Sequence, residues 1–419
     1  MIVNIGLFGP GTVGSGVIEI LNTNRDKFLA IYGIRFKLAK IYVRNFEKYS
    51  KILDPTILVN DIDDILEDSN INVIIETMGG IELANNIILK AIEKGKHVIT
   101  ANKDLLAHRL THYLELCKNN NTNIGIEASV CGGIPIINTI FNSLPGDSIA
   151  SISGIMNGTT NYILSNMEDN NVSFSEILKK AQDLGFAEAN PSSDIDGYDI
   201  RYKIAILVKV CYGLDVDQSK IWCQGIRKIT KKDFEYADMM KCSIKMIATA
   251  QKINNKLKIT VTPTVIDKKY TEATIKGATN LVNIKSNNLV ESILVGKGAG
   301  KLPTANSVIN DLIGIYSGNS YSKNISSNQF SLINDWSEKF YIRFRSKDRV
   351  GLVHTIGKLC EQNQISIHSL LQNPIENPDD IVFIVITEKC CITNIEQFKC
   401  DIRDENILLE DIFFMPIIN

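Results

Sequence analysis

Residues 6–16 read GLFGPGTVGSG, directly after the apolar run IVNIGLF at 2–8 and before a helical pattern that continues through Leu21. Gly9, Gly11 and Gly14 stand in GxGxxG spacing. Between a strand and a helix, that spacing predicts a dinucleotide-binding turn. Gly9 permits the tight turn, Gly11 lets the backbone approach a pyrophosphate, and Gly14 lets helix and strand pack closely. Free N–H groups at the helix start then face the phosphates. An ordinary glycine turn carries the same letters; the position behind the first strand favours the cofactor.

Working outward, FKLAKIYV (36–43), VIIET (73–77), HVIT (97–100) and NIGIEA (123–128) read as strands, with an amphipathic helix at 82–94 and another helical stretch between the last two strands. Alternating strand and helix implies right-handed crossovers and a mostly parallel sheet. The second strand ends in KIYVRN, with Arg44 where an NAD-preferring fold usually places an acid. A guanidinium there suits the extra phosphate of NADP; a solvated surface arginine is the alternative. In HVITANKDLLA, Asn102 and Lys103 follow the strand end, which in an open α/β sheet lines the ligand crevice. Lys103 there reads as a contact to nicotinamide or substrate, or as a helix-entry surface lysine. His97 reads as structural, and His108 and His112 as exposed on the next helix.

Beyond residue 128 the texture changes. Helices are expected around 173–184, 199–212 and 236–250, and antiparallel strands in KITVTPTVI and EATIKGATNLVNIKS. The Ser/Asn-rich stretch 316–339 reads as a linker, and a small α/β module follows, with KFYIRFRS, VGLVHTIGKLCEQN, ISIHSLLQ and DIVFIVIT as strand, helix, strand and strand.

Length and composition bound the function. The 419 residues suggest two to three domains, 44% are hydrophobic, and the net charge is −2. No dense basic stripe points to nucleic acid. No apolar run is long enough to span a membrane, and the chain opens as strand and turn rather than as a signal peptide. Nine scattered cysteines without a CxxC pair read as free thiols in a reducing cytoplasm.

Between Ala128 and the linker there is no histidine. Proton transfer in that region falls to Lys, Asp, Glu, Tyr or water. The segment LGFAEANPSSDIDGYDIRYK supplies Glu188, Asp194, Asp196, Asp199 and Lys203. Asp199 and Lys203 are i, i+4 and share a helix face. A capping aspartate with a surface ion pair accounts for that spacing, and so does an active site. In the second reading Glu188 and Asp199 hold a substrate ammonium, and Lys203 gives a proton to a carbonyl oxygen as hydride arrives.

Seven ordered stretches, GLFGPGTVGSGV, VIIETMGG, HVITANKDLLA, EASVCGGIPII, SGIMNGTTNYIL, AQDLGFAEANPSSDIDGYDIRYK and GKGAGKLPTANSVINDL, make the chain resemble homoserine dehydrogenase along essentially its whole length. The resemblance implies reversible NAD(P)-dependent reduction of aspartate 4-semialdehyde to homoserine, towards threonine, methionine and isoleucine. It implies Lys203 as the catalytic proton donor and acceptor and Lys103 as a second active-site lysine. It implies Glu188, Asp199 and Asp194 as substrate-binding residues. Phe8, Thr12 and Val13, with Gly9, Gly11 and Gly14, match cofactor contacts, as does Gly300. EASVCGGIPI resembles a monovalent-cation loop, with Na+ expected on the carbonyl oxygens of Glu127, Val130, Gly132 and Ile134. The end of the chain resembles an ACT domain, although Val350 stands where that family usually has proline before the loop glycine, Gly351.

The expected architecture is therefore α/β: a Rossmann-type NAD(P)-binding domain at 1–127 completed by 296–315, an α+β substrate-binding and dimerisation domain at 128–295, the linker, and a ferredoxin-like ACT domain at 340–419. A monofunctional, cytoplasmic, NADP-preferring enzyme is expected, with NAD as the alternative cofactor. A homodimer or homotetramer is expected, with an amino acid effector at the ACT domain. Two rivals stand beside it. One is an oxidoreductase for another amino acid aldehyde, which would need other carboxylates. The other is an inactive amino acid sensor, which would have lost Lys103 and Lys203.

Overall fold

The computed structural model describes residues 1–318, 321 and 330–418. The chain divides into two compact units. One comprises 1–152, 201–220 and 282–329; the other comprises 153–200, 221–281 and 330–419.

In the first unit, six strands form one parallel sheet: β1 (Ile2–Phe8), β2 (Arg35–Tyr42), β3 (Leu58–Val59), β4 (Val73–Glu76), β5 (His97–Thr100) and β6 (Ile124–Gly125). Their order is β3-β2-β1-β4-β5-β6, the dinucleotide-binding order whose switch point lies between β1 and β4. β4 is buried along its whole length, as a strand covered on both faces must be. The connecting helices include α1 (Thr12–Thr23), α2 (Glu82–Glu93) and α3 (Lys103–Asn119). A late helix belongs here too: α7 (Lys301–Tyr316) packs on α1. At the crossing a Cβ on Gly16 would lie 2.7 Å from the Lys301 carbonyl oxygen and 2.9 Å from the Ala305 methyl. Only glycine allows that approach, and Val17, Leu21, Ala305, Val308 and Leu312 share the resulting core.

The second unit holds α4 (Gly158–Asn170), α6 (Lys231–Met239) and a long antiparallel hairpin, β7 (Cys242–Ile253) with β8 (Lys256–Asp267). α5 (Tyr198–Tyr212) begins in this unit and ends in the other. The helix expected at 236–250 starts earlier, at Lys231, and ends at Met239. Lys241 adopts φ +58°, which stops α6, and the residues after it enter the hairpin. SIKMIATAQ is apolar enough to satisfy either period, and cross-strand pairing decided it.

The ACT module has β9 (Ser337–Ser346), α8 (Leu352–Gln362), β10 (Ile367–Gln372), β11 (Ile381–Thr387), α9 (Ile392–Asp404) and β12 (Phe413–Ile418), a βαββαβ order. Its sheet continues the hairpin: β12 pairs in parallel with β8 at Val265 and Ile266, giving β7-β8-β12-β9-β11-β10. Trp336, Phe340, Phe344, Phe383, Phe398 and Phe414 fill the core under it. Gly351 sits at φ +87° as the N-cap of α8, so the loop keeps its glycine conformation without the usual proline. The expected linker is shorter than 316–339, since Tyr316 ends α7 and Ser337 opens β9; its residues 319, 320 and 322–329 lie outside the described residues.

Candidate active site

The glycine turn has a cofactor cradle's geometry. Gly9 sits at φ +91°, and its backbone N–H donates to the Tyr42 carbonyl at 3.3 Å. A Cβ on Gly14 would lie 2.2 Å from the Gly9 oxygen, whereas a Cβ on Gly11 would meet nothing within 4 Å. Gly14 thus closes the helix on the turn, and Gly11 leaves an open face. α1 begins without a side-chain cap and without an acid in its first turn, so its leading N–H groups and positive dipole end are available to an anion. The Phe8 ring is buried beside Tyr42, their centroids 5.8 Å apart, and Thr12 is exposed at the helix start beside half-buried Val13. Arg44, just past β2, is exposed. These residues fit a dinucleotide.

Behind the crest of the sheet lies a carboxylate that sequence reasoning missed. Glu76 ends β4 and is fully buried. It accepts from the backbone N–H of Met78 (2.8 Å) and Gly79 (3.1 Å) and from the Thr100 hydroxyl (2.6 Å). Thr100 in turn accepts from the Asn102 N–H, and the Asn102 amide donates to the Gly80 carbonyl. Asn102 also caps α3 by accepting from the Leu105 N–H. Glu76 therefore fixes the loops that carry Lys103, the first residue of α3. His97 is structural, as expected: its Nδ1 accepts from the Asn123 N–H, and burial lowers its pKa. His108 and His112 are exposed.

The expected cation loop lies in the same unit. Cys131 (φ +53°) and Gly132 (φ +44°) are consecutive left-handed residues that bend the chain, and Glu127, Val130, Gly132 and Ile134 are all buried. A Cβ on Gly132 would stand 2.6 Å from the Gly298 carbonyl, and the Gly133 N–H donates to Lys297, so the bend packs on the loop that carries Gly300. The Glu127 carboxylate turns away from the bend to accept from the N–H groups of Ile137 and Asn138. Asp311, also unforeseen, accepts from the Glu127 N–H and the Tyr321 hydroxyl. Burial pushes both acids upward, with Asp311 adding to the rise at Glu127. Among the described residues no cluster of His, Cys, Asp and Glu could hold a metal. A cation here would rest on neutral carbonyls, which suits a hard ion of single charge.

In the second unit Asn157 gathers two of the expected acids. Its amide donates to Asp194 at 2.7 Å and to Asp199 at 2.9 Å, while its oxygen caps α4. Glu188 is exposed on the loop after Phe186. That loop is held by the Phe186 ring stacked on Tyr162 and by Thr159 donating to the Phe186 carbonyl. The NGTTNY motif thus lies beneath the acidic segment; the sequence showed the motif but not its role. Lys203 follows Asp199 by one turn on α5, and both are buried, at 8% and 6% exposure.

A Rossmann sheet with an open glycine turn, and a helix carrying a buried acid and a buried lysine, define an NAD(P)-dependent oxidoreductase. Family models for the homoserine dehydrogenase NAD-binding domain, homoserine dehydrogenase and the ACT domain match residues 9–125, 135–313 and 340–398. Homoserine dehydrogenase of Bacillus subtilis is 35% identical over 397 residues, covering 92% of this chain and 90% of that one. That of Synechocystis is 37% identical over 389 residues, covering 89% of each. A homoserine dehydrogenase crystal structure from Thiobacillus denitrificans superposes with a TM-score of 0.93 at 28% identity, covering 100% of this chain and 99% of that one. A hyperthermophilic archaeal homoserine dehydrogenase in complex with NADPH reaches 0.66 at 27% identity, covering 78% of this chain and 100% of that one. The chain belongs to the homoserine dehydrogenase family, and it catalyses the NAD(P)-dependent interconversion of aspartate 4-semialdehyde and homoserine.

Proposed function

We propose that Lys203 moves the proton in this reaction and that Glu188, Asp194 and Asp199 bind the amino acid end of the substrate. The observation that carries the reading is the pairing of Asp194 and Asp199 on one amide, with Lys203 buried a turn beyond Asp199. The bound nicotinamide supplies or accepts the hydride. In the reducing direction the Lys203 ammonium donates to the aldehyde oxygen; in reverse its amine takes the hydroxyl proton. Asp199 and Glu188 face the substrate ammonium with negative charge, and Asp194 keeps Asp199 in place through Asn157. Lys103, at the start of α3, contacts both cofactor and substrate.

Phe8, Gly9, Gly11, Thr12, Val13, Gly14 and Gly300 hold the dinucleotide, and Arg44 takes the 2′-phosphate of NADP. The absence of an acid at the end of β2 supports that preference. Carbonyl oxygens of Glu127, Val130, Gly132 and Ile134 hold Na+. The catalytic division runs 1–127 with 296–315, then 128–295, in a cytoplasmic homodimer or homotetramer whose ACT domain at 340–419 takes an amino acid effector. Among the described residues no helix is long and apolar enough to cross a membrane.

Homoserine oxidation followed at the nicotinamide absorbance, with NAD and NADP compared in the presence and absence of threonine, tests the set. Lys203→Ala is expected to lower turnover at least about 100-fold, the scale of general acid–base catalysis, with cofactor binding nearly intact. Near-normal turnover in that variant would reject the proton-transfer role.

A further inference from the structure

Asp196 lies between the two acids that Asn157 gathers, yet the reaction gives it no task. Its carboxylate is gripped on both oxygens by Arg227: Nε donates to Oδ1 at 2.5 Å and Nη2 to Oδ2 at 2.7 Å, while Nη2 also reaches the Ser192 hydroxyl at 2.9 Å. Such fork-to-fork contact fixes orientation as well as distance. The backbone repeats the grip. The Ile226 N–H donates to the Ile195 carbonyl at 2.9 Å, and the Cys223 thiol donates to the Asp196 carbonyl at 3.3 Å. A Cβ on Gly225 would stand 2.5 Å from the Ile195 oxygen and 2.7 Å from the Asp196 Cα, so the two segments lie in backbone contact. Gly197 closes the turn at φ +86° with no room for a side chain beside Met246 and Cys223.

The segment 222–228 that makes these contacts is held on its other side by the ACT module. The Gln224 amide donates to the Phe414 carbonyl of β12 at 2.9 Å. Arg343 of β9, buried and paired with Asp233 of α6, donates to the Lys228 carbonyl at 3.0 Å. Trp222 and Cys223 pair with Thr260 and Val261 of β8, the strand beside which β12 pairs. The Trp222 ring also packs on Trp336 and on Phe414 of β12, with centroids 5.4 and 6.1 Å away. One strap therefore touches both the ACT module and the acidic turn.

We propose that the 222–228 strap couples the ACT sheet to the substrate site, with Arg227 as the positioning residue that sets Asp194 and Asp199 through Asp196. The proposal rests on the reading that Asp194 and Asp199 bind substrate. Arg227 is about half exposed, and exposed ion pairs contribute little to stability. Its removal therefore reports on placement rather than on folding.

The test uses the full-length enzyme loaded with NADP. Arg227→Ala is expected to raise the KM for homoserine about tenfold, the scale of one coupled contact, with kcat within about threefold. Cofactor affinity and melting temperature stay near the parent's. Arg227→Lys is expected to behave like Arg227→Ala, because an ammonium cannot reproduce the fork; recovery by lysine would reduce the contact to bare charge and overturn the positioning role. Gln224→Leu, which removes the strap's hydrogen bond to β12, is expected to raise KM in the same direction. Its effect combines with Arg227→Ala less than additively; full additivity would overturn the coupling to the ACT sheet. Parallel loss of KM, kcat, cofactor binding and melting temperature in Arg227→Ala would reduce the strap to a structural brace. Asp199→Asn separates the underlying reading. If it leaves KM unchanged, the substrate assignment falls and the proposal with it. If it raises KM while Arg227→Ala does not, only the strap falls.

Discussion

Arg44→Ala is expected to weaken NADP more than NAD; equal losses in the two dissociation constants would reject the phosphate contact. The shared helix face of Asp199 and Lys203 is legible in the sequence, because residues four apart on a helix meet. The placement of Glu76, Asn157 and Asp311 is not, because their partners Thr100, Asp199 and Glu127 lie 24, 42 and 184 residues away. Lys245 offers a stability test. It is fully buried on β7, donates to the Ile275 carbonyl at 2.8 Å, and lies 4.0 Å from Glu168. Burial lowers its pKa from 10.5 to about 8, with Glu168 opposing the shift. Between those values the unfolded chain holds the proton that the folded chain has released, so stability rises with pH across that window and the buried charge is a burden below it. Lys245→Met is expected to raise the unfolding free energy at pH 7 by up to about 3 kcal/mol, and the gain should fade towards pH 10. Denaturant titrations at the two pH values check this.

At the level of elements, the strand–helix alternation of the first 127 residues was readable because both periods are strong there and each strand is bounded by turn residues. The hairpin at β7 was misread because its apolar residues satisfy a helical stripe, and only pairing with β8 excludes it. The glycine turn separates folding from binding. Gly14→Ala would drive a methyl against the Gly9 carbonyl and is expected to lower both melting temperature and cofactor affinity. Gly11→Ala meets no protein atom and is expected to leave melting unchanged while weakening the dinucleotide. Calorimetry beside cofactor titration distinguishes the two. Loss of stability in Gly11→Ala would remove the open face from the argument. The buried Arg343–Asp233 pair ties β9 to α6. Asp233→Ala removes the buried carboxylate from the Arg343 guanidinium, leaving Glu410 at 3.4 Å, and is expected to cost about 3 kcal/mol, measured by denaturant unfolding.

For the molecule as a whole, the resemblance indicated an ACT domain as a separate module, whereas its sheet is continuous with the β7–β8 hairpin. Truncation before residue 330 would unpair the β8 edge at Val265 and Ile266 and strip the strap of Gln224's and Arg343's contacts. The truncated chain is expected to associate through that edge, visible as high-mass species in size-exclusion chromatography with light scattering. A well-behaved, fully active truncation would show the ACT module to be dispensable. The first unit is assembled from three separate stretches, and α7, which covers Val17 and Leu21, begins only at Lys301. During synthesis the nucleotide sheet therefore emerges from the ribosome long before its covering helix. At about 5–20 residues per second, the apolar face of α1 waits on the order of 15–60 seconds for its partner. Through that interval Val17 and Leu21 lack the helix that covers them in the finished fold, and transiently exposed apolar surface of this kind is where nascent chains aggregate.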